Sequence, residues 1–171
     1  MAISAIVFDL DGTLLDTAGI QALRDARDWK GCIAHADRTR LFPGIKETLA
    51  ALKEREYKLA MCTSSVSYYA HRLLAHHQVD IFDTVVAYHE TARRKPAPDP
   101  ILAALKRLAI NPEHAVGVGD QGIDAAALTA AGVPALGAGW SPSLDRSAGW
   151  TRILREPAEL LSVLRRTLGA G

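Results

Sequence analysis

Short apolar runs alternate with amphipathic segments along the chain. Five of the runs have the length and the branched, apolar content that are typical of buried strands. These runs are Ser4–Phe8, Tyr57–Cys62, Thr84–Ala87, Ala115–Val118 and Pro134–Leu136. Strands that alternate with helices predict βαβ units, and therefore an α/β fold in which one parallel sheet lies between two layers of helices.

The segments between and after these runs carry apolar residues three or four positions apart, as helices that bury one face do. The segment after Asp120 is rich in alanine, and Gly132 is the expected C′ residue at its end. The other helical segments are marked by Ile45, Leu49 and Leu52, by Val66, Tyr69 and Leu73, by Ile101, Leu105 and Leu108, and by Leu160, Leu161, Leu164 and Leu168.

The expected architecture is a Rossmann-like three-layer sandwich with a five-stranded parallel sheet in the order 3-2-1-4-5. In such sheets, ligands bind at the carboxyl ends of the strands, where the strand order reverses. Asp9 and Asp11 follow the first strand, Thr63 follows the second and Asp120 follows the fourth. We therefore expect these four side chains to meet at one edge of a single domain that spans residues 1–171.

Acidic side chains are concentrated at this expected edge. Asp124 follows Asp120 by one helical turn, so that both can face Asp9. Three or four carboxylates around one point cannot all stay ionised without a cation, because an unpaired charge is costly to bury. Oxygen ligands favour Mg²⁺, whereas a zinc site needs more histidine or cysteine ligands. The pattern therefore predicts a Mg²⁺ site.

Groups that suit a phosphate lie beside these acids. Thr63, Ser64 and Ser65 stand where a strand turns into a helix, and hydroxyl and N–H groups at a helix N-terminus bind anions. Lys95 is followed by prolines and then by a helix, and its ammonium group suits a phosphoryl oxygen. Gly12 lets the chain turn tightly beside the ligand.

A metal site, an anion site and a spare carboxylate together indicate phosphoryl transfer with a covalent step. In this interpretation Asp9 attacks phosphorus and forms an aspartyl-phosphate. Asp11 protonates the leaving oxygen and then takes a proton from the incoming water. Mg²⁺, Thr63 and Lys95 position the phosphoryl group and offset its charge. The predicted activity is hydrolysis of a phosphate monoester.

Four segments carry a family resemblance: "DLDGTLLDT", "TSS" after an apolar strand, "KPAPD" and "GVGDQGID". In this order they resemble the four motifs of the haloacid dehalogenase-like (HAD) hydrolase superfamily, and most of all its phosphoglycolate phosphatase-like branch. The resemblance covers nearly the whole chain. It implies a Mg²⁺-dependent phosphatase in which Asp9 is the nucleophile and Asp11 is the general acid and base.

The resemblance also implies which residues bind the ligands. Thr63 and Lys95 are the implied phosphate-binding residues, with Ser64 beside them. Asp124 is expected to contact the metal indirectly, through a water or a neighbouring side chain. Gly12, directly after Asp11, is expected beside the ligand without contacting it. The implied ligands of Mg²⁺ are the Asp9 carboxylate, the backbone carbonyl of Asp11, and Asp120.

The chain departs from this branch between the first two motifs, where members usually carry a long helical cap. Residues 17–42, here called the cap segment, allow only one or two short helices. Ile20, Leu23, Trp29 and Ile33 give this segment apolar surface that needs a partner. The partner is either its own core, which leaves an open site in a monomer, or a second copy. We favour the monomer, which would accept small or larger phosphate esters.

Composition excludes several other classes of function. The net charge is +1, so that neither a nucleic acid nor an anionic membrane is an expected partner. Two cysteines do not form a disulfide framework, and the first residues lack the basic region of a signal peptide. We therefore expect a cytoplasmic protein.

Three other functions stay open at this stage. A dehalogenase uses the same nucleophile on carbon, but it needs neither Asp11 nor Asp120. A phosphomutase needs a closing cap to retain its intermediate, and the cap segment is short for that task. The third alternative is a catalytically weak regulatory or binding protein that keeps the fold.

Overall fold

The computed structural model describes residues 2–168. Residue 1 and residues 169–171 of the predicted domain, and the side chains of residues 166–168, which include the predicted helix residue Leu168, lie outside the described part, so the extent of the domain stays a prediction. The described strands are β1 (Ala5–Phe8), β2 (Leu15–Asp16), β3 (Arg40–Leu41), β4 (Lys58–Cys62), β5 (Thr84–Val86), β6 (Ala115–Gly119), β7 (Ala135–Ala138) and β8 (Arg152–Leu154).

The helices appear where the apolar periodicity predicts them. Gly132 has φ of +75° and stands just past the end of the helix that follows Asp120, as expected of a C′ glycine. The α-helices are α1 (Gln21–Asp25), α2 (Trp29–Ala34), α3 (Ile45–Glu54), α4 (Ser67–His76), α5 (Asp99–Leu108), α6 (Gly122–Ala130) and α7 (Glu159–Leu168).

The main sheet has six parallel strands in the order β5-β4-β1-β6-β7-β8. The five predicted strands are confirmed, and so is their order. The prediction of five strands was wrong by one, because β8 extends the edge beside β7. This strand has three residues, Arg152 is exposed and only Leu154 is fully buried. Such a short element carries too little alternation for a strand pattern to be detected.

Both faces of the sheet are covered, as β1 shows. Ile6 and Phe8 belong to one apolar cluster, whereas Ala5 and Val7 belong to the other. The first cluster includes residues of α3, α4 and α7, and the second includes residues of α5 and α6. This arrangement confirms the three-layer sandwich and leaves the carboxyl ends of the central strands as the place where polar groups can gather.

The cap segment is closed at its base by β2 and β3, an antiparallel pair in which Leu15 faces Leu41. Between them lie α1, α2 and two short 3₁₀ turns. Helix α2 packs against α4, and the Trp29 ring lies 5.3 Å from the Tyr69 ring, centroid to centroid. Ile20 is buried as well. The apolar side of the cap segment therefore rests on the core of the same chain.

Among the described residues, no helix is long and apolar enough to cross a membrane.

Candidate active site

Three strand ends bring the predicted residues to one edge of the sheet. The N–H of Asp9 donates to the carbonyl oxygen of Val118 on β6 at 3.0 Å, and the N–H of Thr63 donates to that of Val86 on β5 at 3.0 Å. The ladder hydrogen bonds thus continue one residue past β1 and β4, up to the two polar side chains. Asp120 follows β6 on the other side of Asp9.

Lys95 joins these elements from the loop before α5. Its Nζ atom donates to Asp9 Oδ1 at 2.8 Å, to Asp124 Oδ1 at 2.5 Å and to the carbonyl oxygen of Cys62 at 3.0 Å. The side chain is only 4% exposed. Burial alone would lower the pKa of Lys95, but the carboxylates of Asp124 and Asp9 raise it well above its usual value. The ammonium group is therefore charged throughout the physiological range.

The surroundings of Asp9, the nucleophile candidate, do not fully compensate the negative charge of its ionised carboxylate. Burial raises the pKa of Asp9 well above its ordinary value, the negative charge of Asp124 raises it further, and Lys95 opposes both effects. Burial also raises the pKa of Asp120, although hydrogen bonds from Gln121 and Ser143 counteract it. A further cation would stabilise the ionised forms of both aspartates.

The geometry of the acids suits such a cation. Asp9, Asp120 and Asp124 each offer one carboxylate oxygen, and these three atoms lie within 4.8 Å of one another. No donor among the described residues forms a hydrogen bond to the backbone carbonyl of Asp11, which leaves that oxygen available as a ligand. An all-oxygen set of this kind fits Mg²⁺.

Asp124 has a second task, which fits an indirect role at the metal. Its Oδ2 atom accepts the N–H groups of Asp120 at 3.2 Å and Gln121 at 3.0 Å, and so closes the capping box of α6. Its Oδ1 atom accepts from Lys95. Both oxygens are thus already engaged with donors of the protein.

Asp120 is oriented by side chains that the sequence analysis missed. Thr13 Oγ1 donates to its Oδ1 atom at 3.0 Å, and Ser143 Oγ donates to its Oδ2 atom at 2.6 Å. Gln121 Nε2 also reaches Oδ2, at 2.9 Å. The indole N–H of Trp140 donates to the carbonyl oxygen of Thr13 at 2.9 Å and so helps to fix the backbone of Thr13. The third residue of "DGT" was the available signal for Thr13, whereas Ser143 lies in a loop without a recognisable pattern.

Gly12 stands where the sequence analysis expects a tight turn. Its φ is +82°, a conformation that other residues rarely adopt. A Cβ atom at this position would lie 2.7 Å from Ser143 Oγ and closer still to the Asp120 carboxylate. The position therefore requires glycine both for its backbone conformation and for the space beside Asp120.

The predicted phosphate-binding residues line a small cavity next to Asp9. The cavity has a volume of about 120 Å³, and Thr63, Ser64 and Lys95 belong to its wall. Thr63 Oγ1 accepts the N–H of Ser65 at 3.1 Å, which leaves its own proton free for a ligand. A larger cavity of about 340 Å³ adjoins it, and both are lined by Asp11 and Arg24.

Asp11 faces the cap segment and is held by three donors. Tyr69 Oη donates to Oδ1 at 2.5 Å, Ser65 Oγ donates to Oδ2 at 2.9 Å, and Arg24 Nη2 lies 3.2 Å from Oδ2. Burial and the neighbouring Asp11 carboxylate raise the pKa of Tyr69, so that its hydroxyl keeps its proton. The sequence analysis assigned no role at the site to Tyr69 or Arg24, because only tertiary packing brings them to Asp11.

Comparisons with known proteins agree with this arrangement. The family model described as haloacid dehalogenase-like hydrolase matches residues 22–138. A protein of Caldanaerobacter subterraneus, provisionally named pyrophosphatase PpaX, is 30% identical over 82% of this chain and 84% of its own length. The phosphoglycolate phosphatase of Nitrosospira multiformis is 39% identical, but the match covers 55% of this chain and only 42% of that protein.

Solved structures show the same fold. A Lactobacillus plantarum protein, provisionally named phosphoglycolate phosphatase, superposes with a TM-score of 0.82 at 22% identity and covers 95% of this chain and all of its own. A Thermotoga maritima protein, provisionally named beta-phosphoglucomutase, superposes with a TM-score of 0.78 at 24% identity, over 96% of this chain and 99% of its own. With the family match over residues 22–138 and the related phosphatases, the chain belongs to the haloacid dehalogenase-like hydrolase family, among its phosphatases.

Proposed function

We propose that this chain hydrolyses a phosphate monoester with the help of Mg²⁺, through an aspartyl-phosphate intermediate on Asp9. One observation carries the proposal. The carboxylate of Asp9 lies between a buried ammonium group, Lys95, at 2.8 Å and the acids Asp120 and Asp124, each with an oxygen atom within 4.8 Å of an Asp9 oxygen. This arrangement supports a nucleophile and a cation site at the wall of a cavity large enough for a phosphate group.

In the first step, an oxygen of the ionised Asp9 attacks phosphorus. The bond from phosphorus to the ester oxygen breaks, and its electron pair stays on that oxygen, which takes a proton from Asp11. Lys95 and the free proton of the Thr63 hydroxyl face the cavity that would hold the transferred group. They offset the negative charge of the phosphoryl oxygens.

In the second step, water attacks the phosphorus of the aspartyl-phosphate. Asp11, now ionised, takes a proton from this water, and the bond from phosphorus to Asp9 breaks. Inorganic phosphate leaves, and both aspartates return to their starting protonation states. The same side chain thus serves as acid and as base, and its position must suit both steps.

The residues present fit a bound Mg²⁺. Carboxylate oxygens of Asp9 and Asp120 and the free carbonyl oxygen of Asp11 would hold it, with Asp124 acting through Lys95 and the backbone of α6. When bound, Mg²⁺ supplies positive charge that keeps the acids ionised and binds phosphate oxygens.

The cap segment supports a monomer with a site that is open to solvent on one side. Its apolar residues already rest on the core, so a second copy is not needed to cover them.

Pyrophosphate and phosphoglycolate, which appear in the names of relatives, are the first substrates to test, followed by larger esters. Cys32 and Cys62 are free and buried, which supports a reducing compartment such as the cytoplasm.

The decisive experiment compares Asp9→Asn with a matched variant, Asp80→Asn, at an exposed aspartate on another part of the surface. We expect Asp9→Asn to lower turnover of 4-nitrophenyl phosphate by about a thousandfold or more, and Asp80→Asn to leave it unchanged. A chelator should abolish the wild-type activity and added Mg²⁺ should restore it. Acid quenching with ³²P-labelled substrate should trap a hydroxylamine-sensitive phosphoprotein only when Asp9 is present.

Retained turnover in a folded Asp9→Asn protein would overturn the assignment of the nucleophile. Absence of turnover and of labelling in the wild type, on aryl phosphates and on the substrates named for the relatives, would instead support a regulatory or binding role.

A further inference from the structure

The two oxygens of the Asp11 carboxyl group differ in their donors. Of its two oxygens, Oδ2 has two neighbouring donors, Ser65 and Arg24, whereas Oδ1 has a single donor among the described residues, the hydroxyl of Tyr69 at 2.5 Å. The terminal torsion of an aspartate is broad, so that a carboxyl group without such an anchor samples many orientations. Among the described residues, Tyr69 is therefore the donor that holds Oδ1 directly, while Ser65 and Arg24 hold Oδ2.

Tyr69 itself is held rigidly. The residue is on α4 and is completely buried. Its ring packs against Trp29 of the cap segment, with an angle of 55° between the ring planes. Because the ring is packed between the core and the cap segment, the hydroxyl has little freedom to follow a moving carboxyl group. A fixed donor of this kind orients its acceptor.

We propose that Tyr69 is a positioning residue that orients the Asp11 carboxyl group for proton transfer to the ester oxygen. The inference rests on the proposed function, because it gives Asp11 the role of acid. Tyr69 donates its hydrogen bond throughout and keeps its own proton. The transferred proton moves from Asp11 to the ester oxygen as the electron pair of the breaking bond settles there.

This role predicts an effect that depends on the leaving group. An alkoxide is a strong base and must be protonated as it leaves, whereas 4-nitrophenolate is a stable anion that leaves without help. The value of kcat/KM reports the steps up to the first irreversible one, which is the formation of the phosphoenzyme. A misplaced Asp11 should therefore lower kcat/KM for alkyl phosphates and leave kcat/KM for 4-nitrophenyl phosphate almost unchanged.

The experiment uses the chain of residues 1–171 with saturating Mg²⁺ and the variant Tyr69→Phe, which removes only the hydroxyl. Tyr57→Phe is the matched control, because Tyr57 is also buried but directly precedes β4, at the opposite end of that strand from the site. The alkyl substrate is the best one from the substrate comparison, beginning with phosphoglycolate. The ratio of the two kcat/KM values does not depend on the fraction of active protein, so partial misfolding does not obscure the result.

For Tyr69→Phe we expect kcat/KM for the alkyl phosphate to fall about tenfold or more, and that for 4-nitrophenyl phosphate to change by less than about threefold. Tyr57→Phe should leave the ratio at its wild-type value. An equal loss on both substrates, or no loss on either, would overturn the positioning role.

The variant Asp11→Asn separates this inference from the proposed function. It should lower the alkyl-to-aryl ratio of kcat/KM by about a hundredfold, because it removes the acid. If Asp11→Asn leaves the ratio unchanged, the acid role of Asp11 fails, and the role of Tyr69 fails with it. If Asp11→Asn changes the ratio and Tyr69→Phe does not, only the inference about Tyr69 is wrong.

Discussion

Replacing Lys95 with methionine tests the charge balance of the site directly. The change keeps much of the buried stem and removes the ammonium group, which leaves the Asp9 and Asp124 carboxylates without their shared partner. Their side chains are 11% and 4% exposed. Breaking a buried ion pair by removing one partner costs about 3–5 kcal/mol. We expect the lower end, about 3 kcal/mol, because Asp9 has access to solvent and can take up a proton.

Thermal unfolding at pH 7 without divalent ions measures this loss. For a chain of this length, 1 kcal/mol shifts Tm by about 2–4 °C, so that Lys95→Met should unfold about 6–12 °C below the wild type. The contribution of Lys95 is complete at this pH. Its pKa is raised in the folded state, so the stabilisation is present below the unfolded pKa of about 10.5 and is lost only as the pH rises through the folded value.

Added Mg²⁺ provides the second half of the test. In the wild type, Lys95 already offsets part of the negative charge around Asp9, whereas in the variant the metal ion alone can do so. We therefore expect MgCl₂ to raise Tm more in Lys95→Met than in the wild type. A tenfold gain in affinity for Mg²⁺ corresponds to about 1.4 kcal/mol of additional stabilisation at saturating concentration.

Lys53→Met is the matched control for this experiment. Lys53 also forms an ion pair, with Asp83 at 2.9 Å, but its side chain is 35% exposed and lies away from the acids. Exposed pairs are worth about 0.2–1 kcal/mol, and no dependence on Mg²⁺ is expected. The reasoning is wrong if Lys95→Met loses no more stability than Lys53→Met, or if Mg²⁺ stabilises Lys95→Met no more than the wild type.

Three other predictions concern metal, pH and assembly. Calorimetry should show that Asp11→Asn binds Mg²⁺ nearly as tightly as the wild type does, because only a backbone oxygen of Asp11 is a proposed ligand. Asp120→Asn should bind Mg²⁺ clearly more weakly. Equal losses of Mg²⁺ affinity in the two variants would make the Asp11 side chain a ligand. Hydrogen bonds from the Leu59 N–H and Lys53 lower the pKa of Asp83 against the effect of burial. The free energy of unfolding of the wild type should therefore exceed that of Asp83→Asn by about 1 kcal/mol above pH 4. This difference should disappear as the pH falls through the lowered pKa of Asp83. Light scattering should report a monomer. A stable dimer would contradict the inference that the cap segment packs on the core of its own chain.

Local patterns in the sequence were enough to predict the sheet and the acids at its edge. Asp9 directly follows β1 and Asp120 directly follows β6. The rule that parallel strands present their carboxyl ends at one edge brings these residues together without further information. Lys95 could be assigned because it lies in a motif whose order along the chain matches the family. These inferences need only the residue type, the end of a strand and the direction of the strands.

The partners of Asp11 could not be predicted in the same way. Tyr69 matched the apolar periodicity of α4 and was expected to be an ordinary core residue, which it also is. Arg24 belongs to a five-residue helix whose position depends on contacts with α2, which packs on α4, rather than on its own sequence. When side chains act on a site from neighbouring elements, their positions are determined by tertiary packing. A single sequence carries no local signal for that packing.

The charges of the assembled site explain why both the metal and the cap segment belong to the proposed mechanism. Four carboxylates, those of Asp9, Asp11, Asp120 and Asp124, surround two cationic side chains, Lys95 and Arg24. With all four ionised the excess is two negative charges, and with Asp11 protonated for the first step it is one; bound Mg²⁺ offsets either excess. The cap segment contributes Arg24 to this balance and packs Trp29 against Tyr69. We infer that a cap too short to enclose a substrate still serves catalysis, because it helps to hold the acid that both chemical steps require.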